Sequence, residues 1–553
     1  MSLKKKITSL ALIALIGISG VIGYNSINPS KPNYTDDSKT NVNYQMEHIK
    51  NISKAPHTIF DEDKKAKSEV REYLLSELEK LGVETKTYKY DDVHLKNYAA
   101  YGDNAHENVD LENIYGEIKG KSDSYILLAT HYDSAKAKEG RYSQQEGSLG
   151  SADAGYALST ILETLRVIKE SNTELENGIK ILFTDGEECG LLGAKEAVKE
   201  REILEDVNYV INIEARGTSG PAIMFETSQD NNAVMDLYEA SEKPFSYSIT
   251  PEIYRLLPNG TDFTVFLENG LNGINISVLD ELENYHTPND NPENLSDESM
   301  QHYGDQVLPI VKEFVSNEKY SNPDALKGTD DSIFFSLGSA FIRYSKTVNI
   351  FLLAVILIGL IVIIKKLNVN KPKKVIKYVI ANLIFTIASI GIGYGISRLL
   401  AVLNGRKFEL TYLPLVKFED IIFIFVMITL FVGYFFTSKR ITNNFTDKNE
   451  FTIGSMILLL ILSLIFTIAL PGASYLTVFP LVLLVVSMLI KLFLQNVRFI
   501  SYILLIPIAL TVMLYVPTIY LFNCALTIGA LCVCVFFAMI AYISVLNGII
   551  NLD

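Results

Sequence analysis

Across its 553 residues the chain carries 63 acidic and 49 basic side chains, a formal net charge of −14. That balance argues against a nucleic-acid partner, which would need a basic face to neutralise phosphates. Four cysteines in so long a chain build no disulfide framework; Cys189 stands alone in the first half, and Cys532 and Cys534 read as apolar packing residues.

In chain order, Lys4, Lys5 and Lys6 precede ITSLALIALIGISGVIGY. This stretch reads as an uncleaved membrane anchor at 1–24, because its apolar region is long and lacks a clear small-residue cleavage motif. Residues 25–49 are polar and read as a flexible stalk. DEDKKAKSEVREYLLSELEKLG has helical apolar spacing and stops at Gly82, before the strand-like VETKTYKY. LENIYGEI and SYILLAT read as strands. Ala157, Leu158, Ile161, Leu162, Leu165 and Ile168 mark one face of an amphipathic helix. IKILFT, VNYVINI and GINISVL are short apolar runs of the kind buried in parallel sheets, and SDESMQHYGDQVLPIVKEFVSN closes the region as a helix. Strands alternating with helices predict a covered, mostly parallel sheet over 50–317.

Seven polar residues in this region fall at positions suited to a two-zinc peptidase site: His131, Asp133, Asp153, Glu187, Glu188, Glu214 and His286. Every donor but Asp153 lies at or just beyond the carboxyl end of a predicted strand, where open α/β sheets gather ligands. Zinc accepts imidazole nitrogen and carboxylate oxygen, and hydrolytic sites keep a position open for water. One metal would take His131 and Glu214, the other Glu188 and His286. Asp153 would bridge them at the roughly 3.5–4 Å separation of two-metal hydrolases. Glu187 is then free to act as general base, and the carboxylate of Asp133 can accept the second N–H of the His131 ring. Singly, each has an ordinary alternative: the adjacent glutamates could open a helix, and Asp153 could cap one. Their joint occurrence favours the metal reading. His48, His57, His94, His106 and His302 lack such a context and read as surface or structural.

The ordered set HYDS, SADAGYALSTILE, TDGEECGLLGA, NIEARG and YHTPND resembles the co-catalytic zinc aminopeptidase family, peptidase family M28, over roughly residues 50–317. The resemblance implies an α/β aminopeptidase-like fold, two zinc ions, a peptide substrate, His131, Asp153, Glu188, Glu214 and His286 as ligands, and Glu187 as base. Glu214 departs from the Asp of many soluble relatives; Glu is used in the membrane-bound and glutaminyl-cyclase-like branches. Tyr285 matches a family position whose hydroxyl can support the tetrahedral intermediate, with a packed aromatic as the equal alternative.

After a linker and interfacial segment at 318–346, containing SIFFSLGSAFIRYSK, comes an all-α polytopic transmembrane domain at 347–553. Seven apolar spans are expected near 347–364, 378–400, 419–437, 452–470, 475–494, 499–517 and 521–546, each long enough for about 30 Å of hydrocarbon. Pro517 and Asn523 punctuate the last two. Lys365, Lys366, Lys371, Lys373, Lys374, Lys377, Lys439, Arg440, Lys491 and Arg498 all fall on one side under this count, with Arg406, Lys407 and Lys417 on the other as a mild exception. The positive-inside rule then puts the 50–317 domain outside the cell membrane, or in a lumen if the cell is eukaryotic. An anchor, an external peptidase domain and a polytopic tail resemble the endoplasmic reticulum metallopeptidase and vacuolar membrane protease group of the family.

The favoured function is a membrane-anchored zinc exopeptidase, an aminopeptidase by preference. The alternatives are a transporter or receptor with an accessory peptidase-like domain, or a glutaminyl-cyclase-like aminoacyltransferase running on one zinc. Arg216 and Arg255 are candidates for gripping a peptide carboxylate, each equally able to be a structural ion-pair partner.

Overall fold

The computed structural model describes residues 3–101, 105–136, 147–172, 174–411, 413, 418–497 and 499–552. Lys417 and Arg498 lie outside the described residues. The chain divides into two compact units, Asn28–Ser332 and the paired segments Met1–Ile27 and Ile333–Asp553.

The first unit is built on a seven-stranded sheet of order β1-β2-β4-β3-β5-β7-β6. Its strands are β1 (Glu84–His94), β2 (Asn108–Ile118), β3 (Tyr125–His131), β4 (Gly178–Thr184), β5 (Val207–Ala215), β6 (Ile223–Thr227) and β7 (Gly273–Val278). The central β4, β3, β5 and β7 are parallel; β1, β2 and β6 join antiparallel at the two edges. Every residue of β3, β4 and β7 is buried, which is why these strands read as unbroken apolar runs rather than alternating ones.

The helices of this unit are α2 (Val42–Ile52), α3 (Lys64–Lys80), α4 (Gly155–Glu170), α5 (Leu192–Ala197), α6 (Arg201–Leu204), α7 (Asn232–Tyr238), α8 (Ile249–Tyr254), α9 (Asp262–Glu268) and α10 (Asp297–Ser316). Leu127, Ala129, Leu182 and Val210 share one buried cluster with Ala194 and Ala197 of α5 and Phe263 and Phe266 of α9. The alternate residues of the strands point to the opposite face, where α4 and α10 pack. This is the helix-covered α/β domain expected, its sheet mixed, with a parallel centre and antiparallel edges.

Its limits differ from those expected. Residues 28–49 are not a stalk: Val42, Gln45, Ile49 and Ile52 of α2 are buried. The Asn41 amide donates to Glu163 Oε2 at 3.0 Å and the Asn33 amide to Gln301 Oε1 at 2.9 Å. A few apolar residues at helical spacing in a polar stretch are enough to dock it. At the other end Tyr320 is buried, and Ser124 Oγ donates to its carbonyl at 2.6 Å.

The second unit holds α1 (Leu3–Asn25), α11 (Lys346–Lys366), α12 (Pro372–Leu403), α13 (Glu419–Ile441), α14 (Lys448–Ala469), α15 (Tyr475–Phe493), α16 (Leu505–Leu526) and α17 (Leu531–Ile550). Seven helices among the described residues are long and apolar enough to cross a membrane, and α1 packs along α16. SIFFSLGSAFIRYSK, expected as an interfacial segment, is a β-hairpin of β8 (Ser332–Leu337) and β9 (Ala340–Ser345). Gly338 turns it at a φ of +61°, a conformation that suits glycine in a two-residue connection. The span expected to end near 517 runs on as a helix to Leu526; the break comes at Thr527, whose φ is +58°. Neighbouring helices tolerate an intramembrane proline by satisfying the freed backbone groups.

Candidate metal centre

The parallel strands bring their carboxyl ends to one edge, and the candidate residues follow from that. His131 is the last residue of β3 and pairs with Thr184 at the end of β4. Glu187 and Glu188 lie on the turn directly after β4, Glu214 is the penultimate residue of β5, and His286 lies on the loop after β7. Asp153 enters from the loop that leads into α4; the helix starts at Gly155 with Ala154 at its cap, so Asp153 is not a capping residue.

The two histidines face opposite oxygens of one carboxylate. His131 Nε2 is 3.1 Å from Asp153 Oδ1 and 3.6 Å from Glu214 Oε2. His286 Nε2 is 3.3 Å from Asp153 Oδ2 and 3.0 Å from Glu188 Oε2. Ligand atoms within 4.8 Å of one another group as His131, Asp153 and Glu214, as Asp153, Glu188 and His286, and as His131, Glu187 and Glu188. The first two sets share Asp153, the arrangement a bridging ligand needs. Glu188 Oε1 is buried with no hydrogen-bond partner, a costly condition for a carboxylate oxygen that a cation would relieve. Two imidazoles among carboxylates match the donor preference of zinc.

Supporting contacts differ in one respect from expectation. His131 Nδ1 meets the backbone carbonyl of Asp133 at 2.9 Å, while the Asp133 carboxylate stands 3.6 Å off. That carboxylate instead accepts the amide N–H groups of Glu187 and Glu188 at 3.1 and 3.4 Å. Donors exposed by the tight turn after β4 have claimed it. Asp133 therefore shapes the glutamate pair as well as the histidine. The Tyr285 ring stacks on His286 with centroids 3.7 Å apart.

Charge is concentrated enough to move proton affinities. Desolvation pushes Glu188 up to about 7. Desolvation, reinforced by the Glu214 charge, pushes Glu187 well above the usual carboxylate range, although its side chain keeps partial access to solvent. Burial works against a charged His286, yet the Glu188 charge and the Asp153 hydrogen bond raise it to about 10. Burial likewise opposes a charged Asp153, but hydrogen bonds from His131 and His286 hold it below the carboxylate range.

Several contributors escape sequence reasoning. Asn212 Nδ2 donates to Glu214 Oε1 at 2.8 Å and to Asn275 Oδ1 at 3.1 Å. Asn275 Nδ2 in turn donates to the buried Glu226 at 3.2 Å. Asp262, first residue of α9, is fully buried, accepts the Thr184 hydroxyl, and is raised to about 7 by desolvation and then by Glu214. Lys67 and Asp185 form a buried ion pair of 2.8 Å below the glutamate turn. In sequence, Asp262 looks like any acidic residue opening a helix, and Lys67 like any lysine on one. Of the unassigned histidines, His94 and His106 are exposed, whereas His57 and His302 are buried and bonded to backbone. Arg216 is half-buried and Arg255 exposed.

Residues 113–311 match the sequence model described as Peptidase family M28. The chain is similar to the vacuolar membrane protease of Yarrowia lipolytica, 26% identical over 317 residues covering 54% of this chain and 30% of that protein. It is also similar to endoplasmic reticulum metallopeptidase 1 of Homo sapiens, 24% identical over 245 residues, 44% of this chain and 26% of that protein. The chain thus spans less than a third of the length of these curated relatives. Among solved structures, a Zn-dependent exopeptidase from Parabacteroides distasonis is 19% identical, with a TM-score of 0.39 and coverage of 51% of this chain and 99% of that one.

Proposed function

From the peptidase family M28 domain that residues 113–311 form, we propose that the chain is a membrane-anchored zinc exopeptidase, an aminopeptidase, acting outside the membrane. The observation that carries this reading is Asp153 between His131 and His286, one carboxylate oxygen to each, with Glu187 beside the pair. His131, Asp153 and Glu214 would hold one zinc, and Asp153, Glu188 and His286 the other. Bound zinc supplies Lewis-acid polarisation of the scissile carbonyl and lowers the pKa of the attacking water.

The chain's own residues do the rest. Glu187 takes a proton from water as its oxygen attacks the peptide carbonyl carbon, and returns that proton to the amine nitrogen as the C–N bond breaks. The Asp133 carboxylate, holding the amides of Glu187 and Glu188, keeps base and ligand in fixed relation. Tyr285, whose ring stacks on His286, would donate its hydroxyl to the developing oxyanion.

The test is hydrolysis of matched peptides with free and blocked N-termini by the purified full chain, beside its zinc content. Cleavage of the free series and about two zinc per chain support an aminopeptidase. Cyclisation of N-terminal glutamine with one zinc at saturation would move the chain to the cyclase branch.

A further inference from the structure

Asp290 closes the YHTPND segment four residues after His286, and the geometry points to a role for it. Only 1% of its surface is exposed. Its Oδ1 accepts the Ala152 amide at 2.6 Å; its Oδ2 accepts the Ser148 hydroxyl at 2.9 Å and the Asp153 amide at 3.4 Å. Both oxygens are therefore committed to the loop that presents Asp153. Ser148 Oγ also accepts the Gly150 amide at 2.9 Å, and the Gly155 amide returns to the Gly150 carbonyl at 3.0 Å. At Gly150 the φ is +67°, and an added Cβ would come within 3.1 Å of the Asp153 carbonyl, so this loop has little room to adjust.

The other end of the contact is equally constrained. Asp290 belongs to the turn that carries His286: its amide donates to the Thr287 carbonyl at 3.0 Å, and Thr287 Oγ1 donates to the Asn284 carbonyl at 2.8 Å. One buried carboxylate thus fastens the loop of Asp153 to the turn of His286. Those two residues lie on loops outside the strands, so no strand pairing fixes their separation.

We propose that Asp290 is a positioning residue that fixes Asp153 against His286 and so sets the affinity of the second metal position, the one formed by Asp153, Glu188 and His286. The inference rests on the two-zinc reading. It goes beyond it in making the two positions unequal in their dependence on one residue. The first position shares Asp153 but takes His131 and Glu214 directly from strands β3 and β5, whose spacing the sheet holds, whereas the second depends on Asp290 through both Asp153 and His286.

Asp290→Asn keeps size but puts an NH2 group where one of two oxygens accepted an N–H or O–H. Supporting hydrogen bonds around metal ligands are typically worth about 10–100-fold in metal affinity. The experiment is a zinc titration of the full chain in detergent against a chromophoric chelator, with thermal unfolding of the metal-free protein alongside. The expected result is that the weaker of two zinc dissociation constants rises by about 10–100-fold while the tighter one, which shares only Asp153 with the Asp290 contacts, rises by a clearly smaller factor. If a folded Asp290→Asn chain binds both ions as the unmodified chain does, or weakens both equally, the proposal is overturned and the two-zinc reading stands. An unmodified chain that binds no zinc overturns both. Should Asp290→Asn fail to fold, Ser148→Ala removes one donor to the same carboxylate. The weaker constant then rises by a smaller factor, and an unchanged one counts against Asp290.

Discussion

Adjacent glutamates with different partners are the sharpest feature at the scale of single residues. Glu188 closes on His286 at 3.0 Å, while Glu187 makes no ion pair with either histidine among the described contacts. Glu187→Gln is therefore expected to keep both metals and lose turnover by about 10²–10⁴-fold. Glu188→Gln is expected to lose zinc from the second position, because an amide is a poorer ligand than a carboxylate. Zinc analysis beside a peptide assay separates the two; metal loss in the first variant with retention in the second reverses the roles. Glu226, which is not itself a candidate ligand, offers a pH test. Desolvation raises it from 4.5 to about 7 in the folded chain. Between those values the folded state binds more protons than the unfolded one, so this group's contribution to stability falls as pH rises and the loss is complete above about 7. Glu226→Gln removes that penalty while retaining an acceptor for Asn275. Its thermal midpoint should rise relative to the unmodified chain at about pH 8 and by much less at about pH 5, on the order of 1–3 kcal/mol at the high end. An equal offset at both values would show that the carboxylate is not the cause.

Among the elements, α2 is where composition misleads and packing decides. VNYQMEHIKNI is half polar, yet Ile49 is fully buried, and an added Cβ on Gly155 would meet its side chain at 3.5 Å. The helix thus buttresses the start of α4, just beyond Asp153. Ile49→Ala should cost about 2–5 kcal/mol, read as a lowered midpoint of thermal or denaturant unfolding; a free stalk would show no change. The same contrast explains which strands were legible. β3, β4, β5 and β7 are buried on both faces and announce themselves as apolar runs. β6 is five residues with Glu226 inside it, and its partners come from chain neighbours in space, so its pattern carries no such signal. The hairpin of β8 and β9 was similarly hidden, since a short apolar run of this kind fits helix and strand alike.

For the molecule as a whole, the basic residues make a prediction about sidedness. Lys365, Lys366, Lys371, Lys373 and Lys377 are exposed around the α11–α12 connection, the placement expected of a cytoplasmic loop. Protease added to intact cells should reach the Asn28–Ser332 unit, while a tag after Lys374 should stay protected. Cleavage of the tag with protection of the peptidase unit would invert the orientation. The sequence by itself determined the class of both halves, the strands that carry the candidate donors and which side chains the fold would bring together at their ends. It could do so because full burial and metal chemistry each restrict residue type at defined intervals along the chain. Only the tertiary structure decided that residues 28–49 belong to the first unit, that the Asp133 carboxylate serves the glutamate turn, and that Asp262, Glu226 and Asp290 crowd the site. Each of these depends on hydrogen bonds or packing between segments tens to hundreds of residues apart, and no local pattern records such a partner.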